Sequence, residues 1–351
     1  MSPIYYSYLV FYKIFVREIH LVYGIYVSLE GIPQAIYSLV SYCIPVRYML
    51  CKYCGSESVT KKGFVNKKQL YKCKDCGHRF YENGKFARMK TDKSLVVTAL
   101  NLYYDGLSLR KTQRNLEQVF GERISQVTIL NWIKKYSKLV KEFVTTLTPQ
   151  LSGLWHEDET MLSCEGRNIW FWEMIDEDTR FLVASHVSGT RTFEDTVAIF
   201  KKGFEQSKVR PRAVFVDGSH VYESAFNKVF YTLRKDTRPE LVQRVGIRAR
   251  ETNNIVERLH GTLKDRTKPM RGLKAFESTK SILDGYTIHY NYVRPHQSLN
   301  GKTPAQVART QAPSNWKSLI EEATKYEAQL LAKTTTTNNK SDEREALEVI
   351  A

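Results

Sequence analysis

The chain has 351 residues, 42% apolar and 26% charged, proportions that exclude disordered and fibrous classes and leave room for two or three domains. Lysine and arginine number 53 against 37 aspartates and glutamates, a net charge of +16, which points to a polyanionic partner or an anionic surface. Residues 51–150 hold 20 basic against 8 acidic side chains, whereas residues 151–330 hold 27 against 23. A nucleic-acid-binding module attached to a more neutral body is therefore expected.

Residues 1–48 read differently from the rest, and residues 1–50 carry nine of the 21 tyrosines. The weakly charged stretch from Ile19 to Val46 is broken by Glu30, Gly31, Pro33 and Pro45, too often for the roughly 20 apolar residues of a membrane span. No basic segment precedes a compact apolar core, so a signal peptide is not expected either. Met49, just before the first cysteine pair, is the expected start, with residues 1–48 a non-native or poorly ordered extension. A cytoplasmic, nucleoid-associated protein that avoids membranes fits these features.

Residues 49–82 are expected to form a zinc ribbon. Cys51-Lys-Tyr-Cys54-Gly and Cys73-Lys-Asp-Cys76-Gly are separated by 18 residues, the spacing of a four-cysteine zinc site. Two thiolates three positions apart on a tight turn can take two corners of a tetrahedron, and Gly55 and Gly77 give each turn its freedom. Phe64, Leu70 and Tyr71 suggest a hairpin between the pairs, with Lys61, Lys62, Lys67 and Lys68 near its tip. Four thiolates leave zinc no open position, so one structural Zn²⁺ is expected. Cys43 and Cys164 fit no ligand pattern and are expected to be ordinary small apolar residues.

Residues 91–145 predict a helix-turn-helix. A helix runs from Lys93 to Tyr104 and stops at Gly106; Ser108 caps a second, with Leu109, Thr112, Leu116, Val119 and Phe120 at helical spacing. Gly121 breaks the chain and Ser125 caps a third, with Ile129, Ile133, Tyr136 and Val140 facing inward. Thr128, Asn131, Lys135 and Lys138 fall on another face, as major-groove entry requires. Gln126, Thr128 and Asn131 are the expected base readers, with Lys135 and Lys138 on phosphates.

From residue 151 to about 310 the pattern is mixed α/β. Three strands (Leu154–Ser163, Asn168–Ile175, Phe181–Val187) joined by short turns should be antiparallel neighbours. A helix, the strand Ala213–Asp217, another helix, a brief strand near Leu241–Val245 and a long helix from Thr252 follow. This is the order of elements in the ribonuclease-H-like fold. Residues 311–351 are expected to be helical, then a disordered polar tail.

Three acids occupy telling places. Asp158 lies inside the first strand, Asp217 ends the fourth, and Glu257 sits on the late helix. Carboxylates beside apolar runs repel one another unless a cation joins them, and oxygen ligands suit Mg²⁺ or Mn²⁺. Two such ions about 3.5–4 Å apart can activate an attacking oxygen and stabilise the leaving one in phosphodiester chemistry. Glu157, Glu159 and Glu165 are acidic too, so composition alone does not choose Asp158. Strand alternation separates His156 and Asp158 from Glu157 and Glu159. On the late helix Glu257, His260, Gly261 and Lys264 share a face, so His260 and Lys264 are expected to approach DNA phosphates.

The blocks Trp155-His-Glu-Asp158-Glu-Thr, Val216-Asp217-Gly and Asn253-Asn-Ile-Val-Glu257-Arg-Leu-His260-Gly-Thr-Leu-Lys264 resemble those of DDE insertion-sequence transposases, nearest the IS-six group with its retroviral-integrase-like core. Tyr290-Asn-Tyr-Val-Arg294-Pro-His296 resembles the end of that core. The gap of 39 residues between Asp217 and Glu257 is a little longer than is usual there. The resemblance implies that Asp158, Asp217 and Glu257 bind two Mg²⁺ or Mn²⁺ ions. It also implies that the protein binds an element's terminal repeats as an oligomer, cutting double-stranded DNA and joining it to a target. The alternatives are a DNA-binding regulator with a degenerate core and a nuclease that cuts without joining.

Overall fold

The computed structural model of the chain describes residues 50–65, 68–81, 86, 89–244, 254–270 and 273–330. The expected extension over 1–48, Cys43 within it, Lys67 and the polar tail from Thr334 lie outside these residues.

The cysteine-rich segment forms an antiparallel sheet of β1 (Val59–Val65), β2 (Lys68–Cys73) and β3 (Arg79–Tyr81), in that order. Its apolar face is small. Tyr71 and Phe80, directly paired across β2 and β3, stack with ring centroids 5.8 Å apart, while Phe64 is exposed.

Three helices follow: α1 (Lys93–Tyr104), α2 (Leu109–Phe120) and α3 (Gln126–Val144). Their ends are set by side chains that satisfy otherwise unpaired N–H groups. Asp92 accepts from Ser94 N at 2.8 Å, Ser108 from Lys111 N at 3.3 Å and Ser125 from Thr128 N at 3.0 Å. Gly121 closes α2 in the left-handed region, φ +70°, where a Cβ would be strained. The last turn of α2 departs from its apolar spacing. Thr112 and Leu116 are buried, but Val119 and Phe120 are exposed.

The α/β region contains β4 (Leu154–Cys164), β5 (Arg167–Asp176), β6 (Leu182–Ser188), α4 (Phe193–Ser207), β7 (Ala213–Asp217), α5 (His220–Phe230), β8 (Glu240–Arg244) and α6 (Asn254–Thr267). Its five-stranded sheet has the order β6-β5-β4-β7-β8. The first three strands pair antiparallel, and β7 and β8 run parallel to β4. This mixed α/β sheet has the ribonuclease-H-like arrangement expected from the order of elements. The turn between β5 and β6 is fixed by Asp176, fully buried. Its Oδ1 accepts from the Thr179 amide and hydroxyl, and its Oδ2 from the Ser152 and Gly153 amides. The loop before β8 contains a single 3-10 turn, Lys235–Thr237.

After α6 come α7 (Phe276–Ile288), a π-helical turn (His289–Val293), the short α8 (Pro304–Val307) and a helical stretch over 316–330. The helical unit and the sheet share one continuous core. A Cβ at Gly285 of α7 would collide with Tyr104 Oη and Ser137 Oγ, so only glycine lets α7 pack so closely on α1 and α3. Those two hydroxyls hydrogen-bond at 2.8 Å, and Lys141 pairs with Asp284. Arg266 of α6, 2% exposed, lies 3.6 Å from the centre of the Tyr103 ring on α1. Among the described residues no helix is long and apolar enough to cross a membrane.

Candidate active site and cysteine cluster

The parallel register pairs Leu154, Trp155 and His156 with Ala213, Val214 and Phe215. Carried two residues further, it sets Asp158 beside Asp217. One carboxylate oxygen from each of Asp158, Glu159 and Asp217 lies within 4.8 Å of the others. Each is held differently. Asp158 accepts the Glu159 amide at 2.9 Å, Asp217 accepts the Ser219 amide at 2.9 Å, and Glu159 accepts the Tyr222 hydroxyl at 2.5 Å. Arg191 pairs with Glu159 and reaches Asp217 at 3.4 Å, its guanidinium 5.3 Å from the Trp170 ring centre.

The electrostatics favour a cation. Burial, then the charge of Glu159 and that of Asp217, pushes the Asp158 carboxyl up to about 7, against the Glu159 amide and Arg191. Burial also raises Glu159, opposed by Tyr222 and Arg191. A guanidinium already lies on two of these carboxylates, and the donors are all oxygen. That chemistry fits Mg²⁺ or Mn²⁺, with Asp158, Asp217 and Glu159 placed to hold it.

Two further acids line the central strands. Glu157 on β4 and Glu173 on β5 are both fully buried, and their carboxyl oxygens have no hydrogen-bond partner. Both are raised well above the usual range by burial, then by Glu159 for Glu157 and by Asp158 for Glu173, which favours the protonated form in each. Glu173 is the cross-strand partner of Asp158. Sequence reasoning passed over it, although an acid between Trp172 and Met174 in an apolar strand was a visible signal.

The late helix does not behave as expected throughout. His260, expected on DNA phosphates, is instead 8% exposed. Its Nδ1 lies 3.8 Å from Asp158 and its Nε2 3.4 Å from Glu173. Burial and then the charge of Lys264 push it down to about 4, so it is a neutral imidazole facing acids. Glu257 is exposed one turn earlier on α6 and is not among the carboxylates grouped within 4.8 Å. Lys264 is exposed.

The four cysteines meet as a second cluster. Their sulfurs all lie within 4.8 Å, with Cys51–Cys76 and Cys54–Cys73 at 3.6 Å. A tetrahedron of Zn–S bonds of about 2.3 Å requires sulfurs about 3.8 Å apart, so the set fits zinc. Gly55 and Gly77 both take positive φ, +76° and +70°. Cys164 is buried against Thr279 as an ordinary core residue. On α3, Gln126, Asn131, Lys135 and Lys138 are exposed and Thr128 half-buried. Gln126 hydrogen-bonds Gln113 of α2, and Thr128 Oγ1 bonds the capping Ser125. Lys135 and Lys138 line a cavity of about 650 Å³ shared with Cys54, Cys76 and His78.

Residues 152–296 match the family model of a DDE domain of IS240-type transposases. An uncharacterised protein of Methanocaldococcus jannaschii is 27% identical over 220 residues, 62% of this chain and 94% of that protein. The 48.3 kDa protein of insertion element ISM1 from Methanobrevibacter smithii is 27% identical over 168 residues, 42% of this chain, which spans only 40% of that protein's length. Among solved structures, the HTLV-2 integrase catalytic core domain in complex with magnesium aligns with 46% of this chain and 98% of its own, at 14% identity and a TM-score of 0.32. Residues 152–296 are thus similar to the DDE domain of transposases.

Proposed function

We propose that the protein is an insertion-sequence transposase that binds the ends of its element and cuts and joins DNA. The observation that carries this reading is the meeting of Asp158 and Asp217 on adjacent parallel strands, with Glu159 beside them. Divalent ions held there would supply activation of the attacking oxygen and stabilisation of the leaving one. Asp158 and Asp217 are the proposed shared ligands, and Glu257, on the exposed face of α6, completes the set from the helix side. Arg191 and Tyr222 fix the Glu159 carboxylate, while His260 and Glu173 flank Asp158 from the helix and from β5.

The cysteine cluster is proposed to hold one structural Zn²⁺ as a zinc ribbon. α1 to α3 are proposed to act as the helix-turn-helix, with Gln126, Thr128 and Asn131 reading bases and Lys135, Lys138 and Lys264 on phosphates. Two element ends must be paired, so a homo-oligomer on double-stranded DNA is the proposed working form, in the cytoplasm at the nucleoid.

Asp217→Asn tests the enzyme. With end-labelled duplex and Mg²⁺ or Mn²⁺, the variant should bind DNA like the parent while cleavage and joining fall to background. Joining that persists in the variant would overturn the assignment. Cleaved but never joined ends in the parent would instead identify a nuclease.

A further inference from the structure

A second groove of about 590 Å³ runs along the flank of α6 next to the one that bears Glu257 and His260. Three arginines from separate parts of the chain line it: Arg180 from the β5–β6 turn, Arg258 from α6 and Arg294 from the end of the π-helical turn. Among the described residues no acidic side chain lines the groove, and none of the three guanidinium groups makes an ion pair or hydrogen bond. Arg258 and Arg294 are exposed and Arg180 half-buried.

The backbone holds these groups in place. Arg180 sits at φ +57°, a region where glycine is at ease and a long side chain is not. It is kept there by the hydrogen bond its N–H donates to the Asp176 carbonyl, 3.0 Å, within the turn that buried Asp176 fixes. The Arg294 amide bonds the His289 carbonyl at 2.8 Å, and His296 packs edge-on to Tyr290 with Nε2 3.2 Å from the Tyr290 carbonyl. Burial lowers His296, and the charges of Arg294 and Arg180 add to that against the Tyr290 carbonyl, as expected of a positive local field.

Unpaired guanidinium forks gathered in one open groove suit phosphate oxygens. We propose that the groove formed by Arg180, Arg258 and Arg294 binds the phosphate backbone of duplex DNA next to the scissile position. This rests on the reading of the protein as a DNA-processing enzyme and assigns that reaction a backbone track outside the acidic pair. Leu259 lines the groove and His260, the next residue of α6, lies 3.8 Å from Asp158, so the groove adjoins the acidic cluster.

The test measures binding of the full-length, zinc-loaded protein to a fluorescent duplex of mixed sequence without added Mg²⁺ or Mn²⁺, over a range of salt. Each phosphate that an arginine no longer neutralises should lower the slope of log K against log salt by about 0.9. Arg258→Gln/Arg294→Gln should therefore flatten the slope by about 1.8, with affinity falling at low salt. Arg258→Lys/Arg294→Lys should restore most of the slope, and Lys317→Gln, an exposed lysine elsewhere, should leave affinity and slope as in the parent. Arg180→Gly guards against misfolding, because it relieves the positive φ: the thermal midpoint should hold or rise while the slope falls by about 0.9. An unchanged slope in these variants overturns the groove alone, including where inorganic phosphate by itself still binds there. A parent that binds no duplex at any salt overturns both the groove and the DNA-processing reading.

Discussion

The molecule gathers two ligand clusters by opposite routes. The cysteine cluster is assembled locally, from two turns at the ends of a small sheet, and its sulfurs are soft donors already at tetrahedral spacing. The acidic cluster is assembled by topology: β4 and β7 become neighbours only after three strands and α4 have been laid down. A local site can hold a small fold together but has no position left for substrate. A topological site rests on a core built without it and can keep its donors strained and electrostatically unsettled.

The largest expected effect breaks the first half of that comparison. Tyr71 and Phe80 lie outside the continuous core, so the three-stranded sheet has little besides its sulfurs to stabilise it. Structural zinc in small domains contributes about 10–16 kcal/mol of apparent binding energy. Cys73→Ser, or a strong chelator, should leave residues 50–81 open to proteolysis while the sheet of β4 to β8 stays resistant. Mass spectrometry of the native protein should find one zinc per chain. A protease-resistant amino-terminal sheet in a zinc-free preparation would show that the cluster is not a metal site.

Legibility in the sequence follows the same division. The cysteine spacing, the caps Ser108 and Ser125 and the break at Gly121 are short-range features, and each appears where its residues stand. The three antiparallel strands and Asp217 at a strand end were legible from alternation and turn residues. What sequence could not give was side-chain surroundings that depend on register. Glu159 was separated from Asp158 by strict alternation, yet at the mouth of the sheet both reach Asp217, because Tyr222 and Arg191 draw Glu159 toward it. His260 shared a helical face with Lys264, but that face meets the strands at His260 and leaves them by Lys264.

A middle-sized effect probes the cost of the topological site. Glu157 is fully buried with neither oxygen paired, and an unsatisfied buried polar group costs about 1–3 kcal/mol. Glu157→Met should therefore raise the unfolding free energy by about that amount in urea, measured in EDTA. The sign of the pH dependence follows from the raised carboxyl. Above the unfolded value of 4.5 the unfolded chain releases its proton and the folded one retains it, so this glutamate lowers stability progressively as pH rises. The gain from Glu157→Met should grow from pH 5 to pH 8, and a gain that shrinks would mean Glu157 is ionised and paired in the folded protein.

The smallest effect sharpens the comparison at the acidic cluster itself. Arg191 lies across Glu159 and Asp217, where a divalent ion would bring its own charge, so the two compete for the same carboxylates. Its side chain is 41% exposed and that of Asp217 42%, so solvent weakens the contact, and pairs of this kind are worth about 0.2–1 kcal/mol. Arg191→Gln should then tighten Mn²⁺ binding, followed by its electron paramagnetic resonance signal, by no more than about fivefold. The Glu159 carboxylate keeps the Tyr222 hydroxyl in either case, so its position does not depend on the arginine. Weaker Mn²⁺ binding in Arg191→Gln would reverse that account: the guanidinium would then be orienting Glu159 as a ligand, and the cluster would owe its geometry to a loop residue as well as to the sheet.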